Sequence, residues 1–364
     1  MLSASRPARR RRENSLESVE QWVLNGKLML HTYFRRIARR LKPIAFNPDI
    51  GVPNDRLDTM GFLGGFEDPD RYEDTMERIY AEAKVDQDLA YVLRHACLEE
   101  DVAKSFDFYQ QTTAPKAIID LMALFQINTN SAVVDVGCGR GHTAYALHKN
   151  GFSNLAAMDP NSRRSTGTGY LASLPDHGIS IVNDLGEWRK ISSRFDAAVS
   201  TSTVHHWGHI PHGAIDLRRT LKPGAYWFMV TEQIANNGSE FVSLLNDHPI
   251  AKRYGTYEWS YPASAYVDLI QSVGFNLVAV VPLHYAQNKF YMIPLPPPPS
   301  FDDRKFTRKV DRLLQRQGAT VEAFWDEVDE FRSVSALPTN ASYEAFTKRF
   351  YTNPQVMVFQ RVAI

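Results

Sequence analysis

From Ala132 onward the chain alternates short β-branched runs with segments long enough to be crossover helices. The candidate strands are Ala132–Val136, Asn154–Met158, Ile179–Asn183, Phe195–Ser200, Ala225–Val230 and Asn276–Val281. Parallel neighbours in a sheet need such crossovers, whereas antiparallel neighbours can be joined by tight turns. Repeated alternation therefore predicts a doubly wound α/β fold, a mostly parallel sheet covered by helices on both faces. A last apolar run, Gln355–Val362, is a candidate closing strand.

The first of these strands runs into a glycine-rich turn, Val133-Val134-Asp135-Val136-Gly137-Cys138-Gly139-Arg140-Gly141-His142, and a helical Thr143–Leu147 follows. Glycine permits positive φ and lets a ligand touch the backbone. The helix behind it offers free N–H groups. A strand before and a helix after are the context a nucleotide site requires. Two cofactor classes compete. A dinucleotide fingerprint needs a third glycine or alanine where His142 stands. Asp135 also aims a carboxylate at the turn, which suits an amino group and a sulfonium and suits a pyrophosphate badly. Asp159 ends the second strand, where a carboxylate can accept hydrogen bonds from ribose hydroxyls. Asp159-Pro160-Asn161 also reads as a turn with a helix cap.

At these residues the chain resembles the class I, Rossmann-like S-adenosylmethionine-dependent methyltransferases, closest to their small-molecule group. Asp135 to Gly141 is similar to the family's first motif, and Asp159 to its ribose-binding acid. Asn183-Asp184-Leu185 lies where the family contacts adenine. Phe195–Ser200 and Val204-His205-His206-Trp207 resemble its fourth strand and the step after it. Leu221-Lys222-Pro223-Gly224-Ala225 and Ser272-Val273-Gly274-Phe275 resemble the turns before strands five and six. The resemblance implies a seven-stranded sheet of order 3-2-1-4-5-7-6 with the last strand antiparallel, and S-adenosyl-L-methionine as cofactor. The residues it implies for that cofactor are Asp135, Gly137, Cys138, Gly139, Gly141, Asp159, Pro160, Asp184, Leu185 and Ser200. Tyr109, before the first strand, is expected to touch it from the other side.

Methyl transfer is an in-line displacement in which a protein aligns the partners and removes a proton where one is in the way. His205 and His206 follow strand four and are the candidate general bases, since histidine titrates near neutrality. Their other reading is that one packs on the cofactor and the other is structural. His205, His206, His209 and His212 also invite a metal, but Pro211 interrupts the helix that would align them and no carboxylate lies among them, so no metal is expected. Glu232 is a second acid–base group or a helix cap. Tyr254, Tyr257, Trp259 and Tyr261 are candidates to hold an apolar or sugar-like acceptor, or are ordinary packing.

Ser200-Thr201-Ser202-Thr203 stands where enzymes of this class that methylate base or amide nitrogens carry an Asn/Asp-Pro-Pro-aromatic tetrad, and no Pro-Cys nucleophile is present. Lys plus Arg and Asp plus Glu are 41 each, which gives no global attraction for nucleic acid. The expected reaction is O- or C-methylation of a small molecule. A lipid-linked or membrane-borne acceptor and a non-catalytic binding subunit are the alternatives. The membrane reading draws on an amphipathic, arginine-ended helix at 15–42. A nicotinamide oxidoreductase is disfavoured by His142 and the later motifs.

The expected organisation is a disordered basic tail (1–14), a helical extension (15–105), the methyltransferase domain (106–293 and 355–364) and a proline-rich spacer with helical insertion (294–354). Tyr72–Cys97 and Lys116–Phe125 are the clearest helices of the 70–126 region. Two cysteines, no apolar run of about 18 residues and no apolar stretch behind the N-terminal arginines read as a cytoplasmic protein.

Overall fold

The computed structural model describes residues 69–282 and 354–363, apart from Asp176 and most positions between 248 and 257. The basic tail, the 15–41 helix, the loop before residue 69, the polyproline spacer and the helices beyond it lie outside the described residues.

Seven strands form one sheet: β1 (Val133–Val136), β2 (Leu155–Met158), β3 (Ser180–Val182), β4 (Phe195–Thr201), β5 (Leu221–Val230), β6 (Phe275–Pro282) and β7 (Pro354–Arg361). Their order is β3-β2-β1-β4-β5-β7-β6, as the resemblance implied. β7 slips between β5 and β6 and is antiparallel to both. Central strands that are covered on both sides read as unbroken apolar runs. β1 and β2 are accordingly buried at every position, including Asp135.

The helices divide between the two faces. α3 (Val102–Gln110), α4 (Thr113–Leu124), α5 (His142–Lys149) and α6 (Gly169–Ser173) share one core with Val133, Ala197 and Val199. α7 (Leu185–Lys190), α8 (Ile210–Thr220) and α10 (Ala263–Gln271) share the other with Val134, Ala198 and Trp227. Between β5 and α10 lies α9 (Gly238–Asp247). The chain thus winds from β1 to β3 on one face and from β3 to β5 on the other. The reversal falls between β1 and β4, and in an open sheet the crevice outside that point is where ligands bind.

Two helix boundaries differ from the sequence reading. The stretch Tyr72–Cys97 is two helices, α1 (Pro69–Ala83) and α2 (Gln87–His95). Asp86 separates them because its carboxylate accepts from the Leu89 N–H, 3.0 Å, and caps α2. α4 begins two residues before Pro115. Proline is tolerated in a first turn, where its missing N–H has no partner to lose. Both cysteines are free, and burial pushes the Cys97 thiol up to about 12. No described helix is long and apolar enough to cross a membrane.

Candidate active site

The glycine turn is held mainly by backbone. Gly137 and Cys138 donate to the Met158 carbonyl, at 2.8 and 3.1 Å, and Gly141 donates back to Cys138, 2.8 Å. All three glycines have positive φ, at 65°, 53° and 88°. Two of them are pressed by neighbours. A Cβ at Gly137 would stand 2.2 Å from Thr203 Oγ1, and one at Gly141 2.5 Å from a Leu171 methyl. At Gly139 it would meet nothing within 4 Å. Gly139 is therefore the point where bare backbone faces the cleft.

Asp135 directs its carboxylate at the turn and the helix that follows it. It is buried and accepts from the Ala144 N–H at the start of α5, 3.0 Å, so it fixes the turn from behind. Burial raises it to about 7; the Ala144 N–H pulls it down and the nearby Asp159 pushes it up. Asp159 accepts from Gly139 N–H at 2.7 Å and from Asn161 N–H at 2.9 Å. One oxygen serves each bond, so each keeps a lone pair for another donor. Burial raises Asp159 to about 6 against those two N–H groups. Pro160 follows it at the partly buried rim. Asp184 caps α7 through the Glu187 N–H, 2.8 Å, with Leu185 buried behind it. Cys138 lies partly buried within the turn, its thiol pushed well up by burial.

Two sequence candidates are turned inward. Ser200 accepts from Trp227 Nε1 at 2.9 Å, because a buried indole N–H needs a partner. Its side chain therefore belongs to the core and only its backbone faces the strand end. Tyr109 bonds Thr143 Oγ1 at 3.0 Å behind the turn and is buried. Arg140, missed in the sequence, is buried too. It donates to the carbonyls of Cys97 and Glu99, at 3.1 and 2.8 Å, and to Tyr80 Oη, 2.6 Å. It thereby ties α1 and the segment after α2 to the glycine turn. His142 fits beside it because α3 receives the ring: Nε2 meets Ser105 Oγ at 2.8 Å, and burial lowers the imidazole to about 3.

Across the crevice the ends of β4 and β5 carry a second cluster. Ser202 and Thr231 both have positive φ, 47° and 53°, and their hydroxyls meet at 2.7 Å. Positive φ is rare for a β-branched residue and marks local strain. Glu232 follows. One oxygen accepts from the N–H groups of Thr203 and Val204, at 3.0 and 2.9 Å; the other meets His205 N and Nδ1, at 3.1 and 2.8 Å. Glu232 thus caps the backbone of the 203–205 turn and pairs with the His205 ring. His205 is buried, with Nε2 3.4 Å from Glu258 Oε2. Burial alone would lower its pKa, but the two carboxylates raise it to about 9. The same pairing holds Glu232 below the usual carboxylate range despite burial.

With Nδ1 on Glu232 and Nε2 facing Glu258, both ring nitrogens of His205 already have partners within the protein. His206 differs: its side chain keeps 34% exposure, with Nε2 3.9 Å from Glu258 Oε2. His209 and His212 go elsewhere, the first capping α8 and the second beside Arg189 and Asp216. Glu258 also accepts from Gln233 Nε2, 2.6 Å. It was hidden in the sequence inside an aromatic run. Of that run, Trp259 and Tyr261 stand near each other, ring centres 6.1 Å apart. Tyr254 instead donates to Glu82 on α1, 2.7 Å. Tyr257 lies outside the described residues.

A doubly wound sheet of this order, with a glycine turn and an acid flanking its switch point, defines a class I methyltransferase fold. Residues 109–280 match the family model described as a methyltransferase domain. The domain belongs to the class I S-adenosylmethionine-dependent methyltransferases, and the protein is an enzyme that uses that cofactor. No curated protein matches the sequence. Among solved structures, the [4+2]-cyclase SpnF is 14% identical over 68% of this chain and 81% of its own, with a TM-score of 0.39. A S-adenosylmethionine-dependent methyltransferase from Methanosarcina mazei is 16% identical over 67% and 98%, TM-score 0.36. Phosphoethanolamine N-methyltransferase 2 from Haemonchus contortus is 13% identical over 68% of this chain and 52% of its own, TM-score 0.38. Likeness this slight bears on neither acceptor nor mechanism.

Proposed function

We propose that this enzyme methylates an oxygen or carbon of a small-molecule acceptor held at the ends of β4 and β5, with His206 as the group that takes the acceptor's proton. The observation that carries the reading is the contrast between the two histidines. His205 is buried and locked between Glu232 and Glu258, whereas His206 stands beside that frame with a partly exposed side chain.

The residues opposite suit the cofactor. Gly139 leaves room for a ligand against the backbone, and Asp159 retains a lone pair on each oxygen. S-adenosylmethionine supplies a methyl group on a sulfonium, open to attack from the side opposite the leaving sulfur. Asp159 would accept the ribose hydroxyls, Gly139 would let the nucleoside lie on the turn, and Asp184 and Leu185 would border the adenine. Thr203, packed against the position of Gly137, brings the 203–206 turn to the edge of the same crevice. A proton leaving an acceptor hydroxyl or acidic carbon there would pass to His206 Nε2. Trp259 and Tyr261 would offer flat apolar walls to a ring or sugar.

The test is a labelled-methyl assay over a panel of phenols, sugars, enolisable carbonyls and amines, with mass spectrometry of the products. Methylation of oxygen or carbon acceptors is expected. Turnover confined to amines would overturn the reading.

A further inference from the structure

We infer that His205, His206 and Glu258 form a divalent-cation site on the acceptor side of the cleft, of the kind occupied by zinc or cobalt(II). One donor atom from each lies within 4.8 Å of the other two. The His205 Nε2–Glu258 Oε2 distance is 3.4 Å and the His206 Nε2–Glu258 Oε2 distance 3.9 Å. Ligands about 2.0–2.2 Å from a tetrahedral ion are spaced by roughly 3.3–3.6 Å; the His205–Glu258 pair already has that spacing, and His206 would close on it from 3.9 Å at Glu258 and from within 4.8 Å at His205.

A second observation points the same way. Glu232 meets the other nitrogen of His205 at 2.8 Å and is itself held by the backbone N–H groups of Thr203, Val204 and His205. A carboxylate on the far nitrogen orients a ligating histidine and makes it a better donor, and an ion at Nε2 displaces to solvent the proton that this nitrogen otherwise turns to Glu258. Two imidazoles and a carboxylate suit borderline ions better than magnesium or calcium, which prefer oxygen. Three protein ligands leave one position open, as catalytic sites do.

The inference deepens the proposed reading for oxygen acceptors. It rests on that reading for its catalytic consequence, while ion binding stands by itself. An acceptor hydroxyl on the open position becomes more acidic. Its proton leaves to solvent, the oxygen attacks the methyl carbon, and the sulfur departs with the bonding pair. With the ion in place, coordination replaces proton uptake by His206.

The experiment titrates cobalt(II) into the chelator-treated full chain and follows the visible absorption of the bound ion. Binding of S-adenosylhomocysteine serves as the folding control. One equivalent is expected, with affinity at least ~10-fold weaker in His206→Ala and in Glu258→Gln. Wild type that takes up no cobalt, or variants that bind it as tightly as wild type, would overturn the site. Bound cobalt together with methylation of amines alone would overturn the acceptor reading and leave the site standing. Full oxygen methylation by the metal-free enzyme would overturn the ion's catalytic role.

Discussion

The two sides of the crevice are built on different physical plans. The cofactor side is backbone: Gly137, Cys138, Gly139 and Gly141 exchange hydrogen bonds with carbonyls and with Asp159 across two adjacent strands. The acceptor side is side chain: Glu232, His205, His206, Glu258 and Gln233 assemble from three separated segments around buried charge. Backbone recognition tolerates any residue that keeps φ and size, while a buried charge cluster fails when one partner goes. The cofactor side should therefore lose affinity by degrees under mutation, and the acceptor side should lose rate or stability abruptly.

The sharpest break is His206→Ala. It should lower turnover by about 10²- to 10⁴-fold, the usual contribution of a positioned acid–base group. Calorimetry should find S-adenosylhomocysteine affinity within a few-fold of wild type. Equal losses in both would merge the two sides.

Next comes Glu232→Ala, which leaves His205 with one carboxylate fewer and three N–H groups without their acceptor. Removing one partner of a buried pair costs about 3–5 kcal/mol. Denaturant unfolding would read the loss; stability within ~1 kcal/mol of wild type would mean that the cluster does not hold the 203–206 turn.

On the other side, Asp159→Ala should weaken S-adenosylhomocysteine binding by roughly 1–3 kcal/mol, the scale of losing hydrogen bonds to a charged group. Turnover at saturating cofactor should stay close to wild type. Gly139→Ala should act more mildly on folding. Its φ of 53° strains an alanine but its Cβ meets no neighbour, so about 1–2 kcal/mol of stability goes. Cofactor affinity should fall with it, since the methyl would occupy the open face of the turn. An unchanged affinity would move the nucleoside off this turn.

The mildest probe is pH. Asp135 and Asp159 are raised to about 7 and about 6, above the unfolded value near ~3.9. The folded state therefore holds their protons more tightly than the unfolded state. Their contribution to stability is full below pH ~4 and is lost as pH rises through about 6 and 7. Ribose hydroxyls favour the ionised form of Asp159, so affinity should rise over the same window. Thermal melts from pH 5 to 8 with and without S-adenosylhomocysteine should diverge as pH rises; parallel curves would mean that the ligand does not touch Asp159.

This contrast also explains what could be read in advance. Strand positions were legible because full burial forces apolar runs, and all seven were located to within a few residues apart from the longer start of β5. The glycine turn was legible because positive φ and close approach leave glycine as the residue of choice. Asp135 was legible at the strand end, but its bond to the Ala144 N–H was not, since a strand-end acid can face either the cleft or the next helix. Arg140 was passed over because nothing in its surroundings marks it as buried under α1. Ser200 and Tyr109 stand at the expected addresses, yet each spends its hydroxyl on a core neighbour.

What the sequence determined by itself is the periodic part of the molecule: alternation, sheet class and the turn that bends a nucleotide-binding strand into its helix. Those follow from local sterics and from the apolar content of short windows. What only the tertiary structure decided is which carboxylates the histidines meet. Glu232 and Glu258 are far from each other along the chain, and only folding brings both onto His205. Coulomb attraction depends on distance and burial, and neither is written in the spacing of residues.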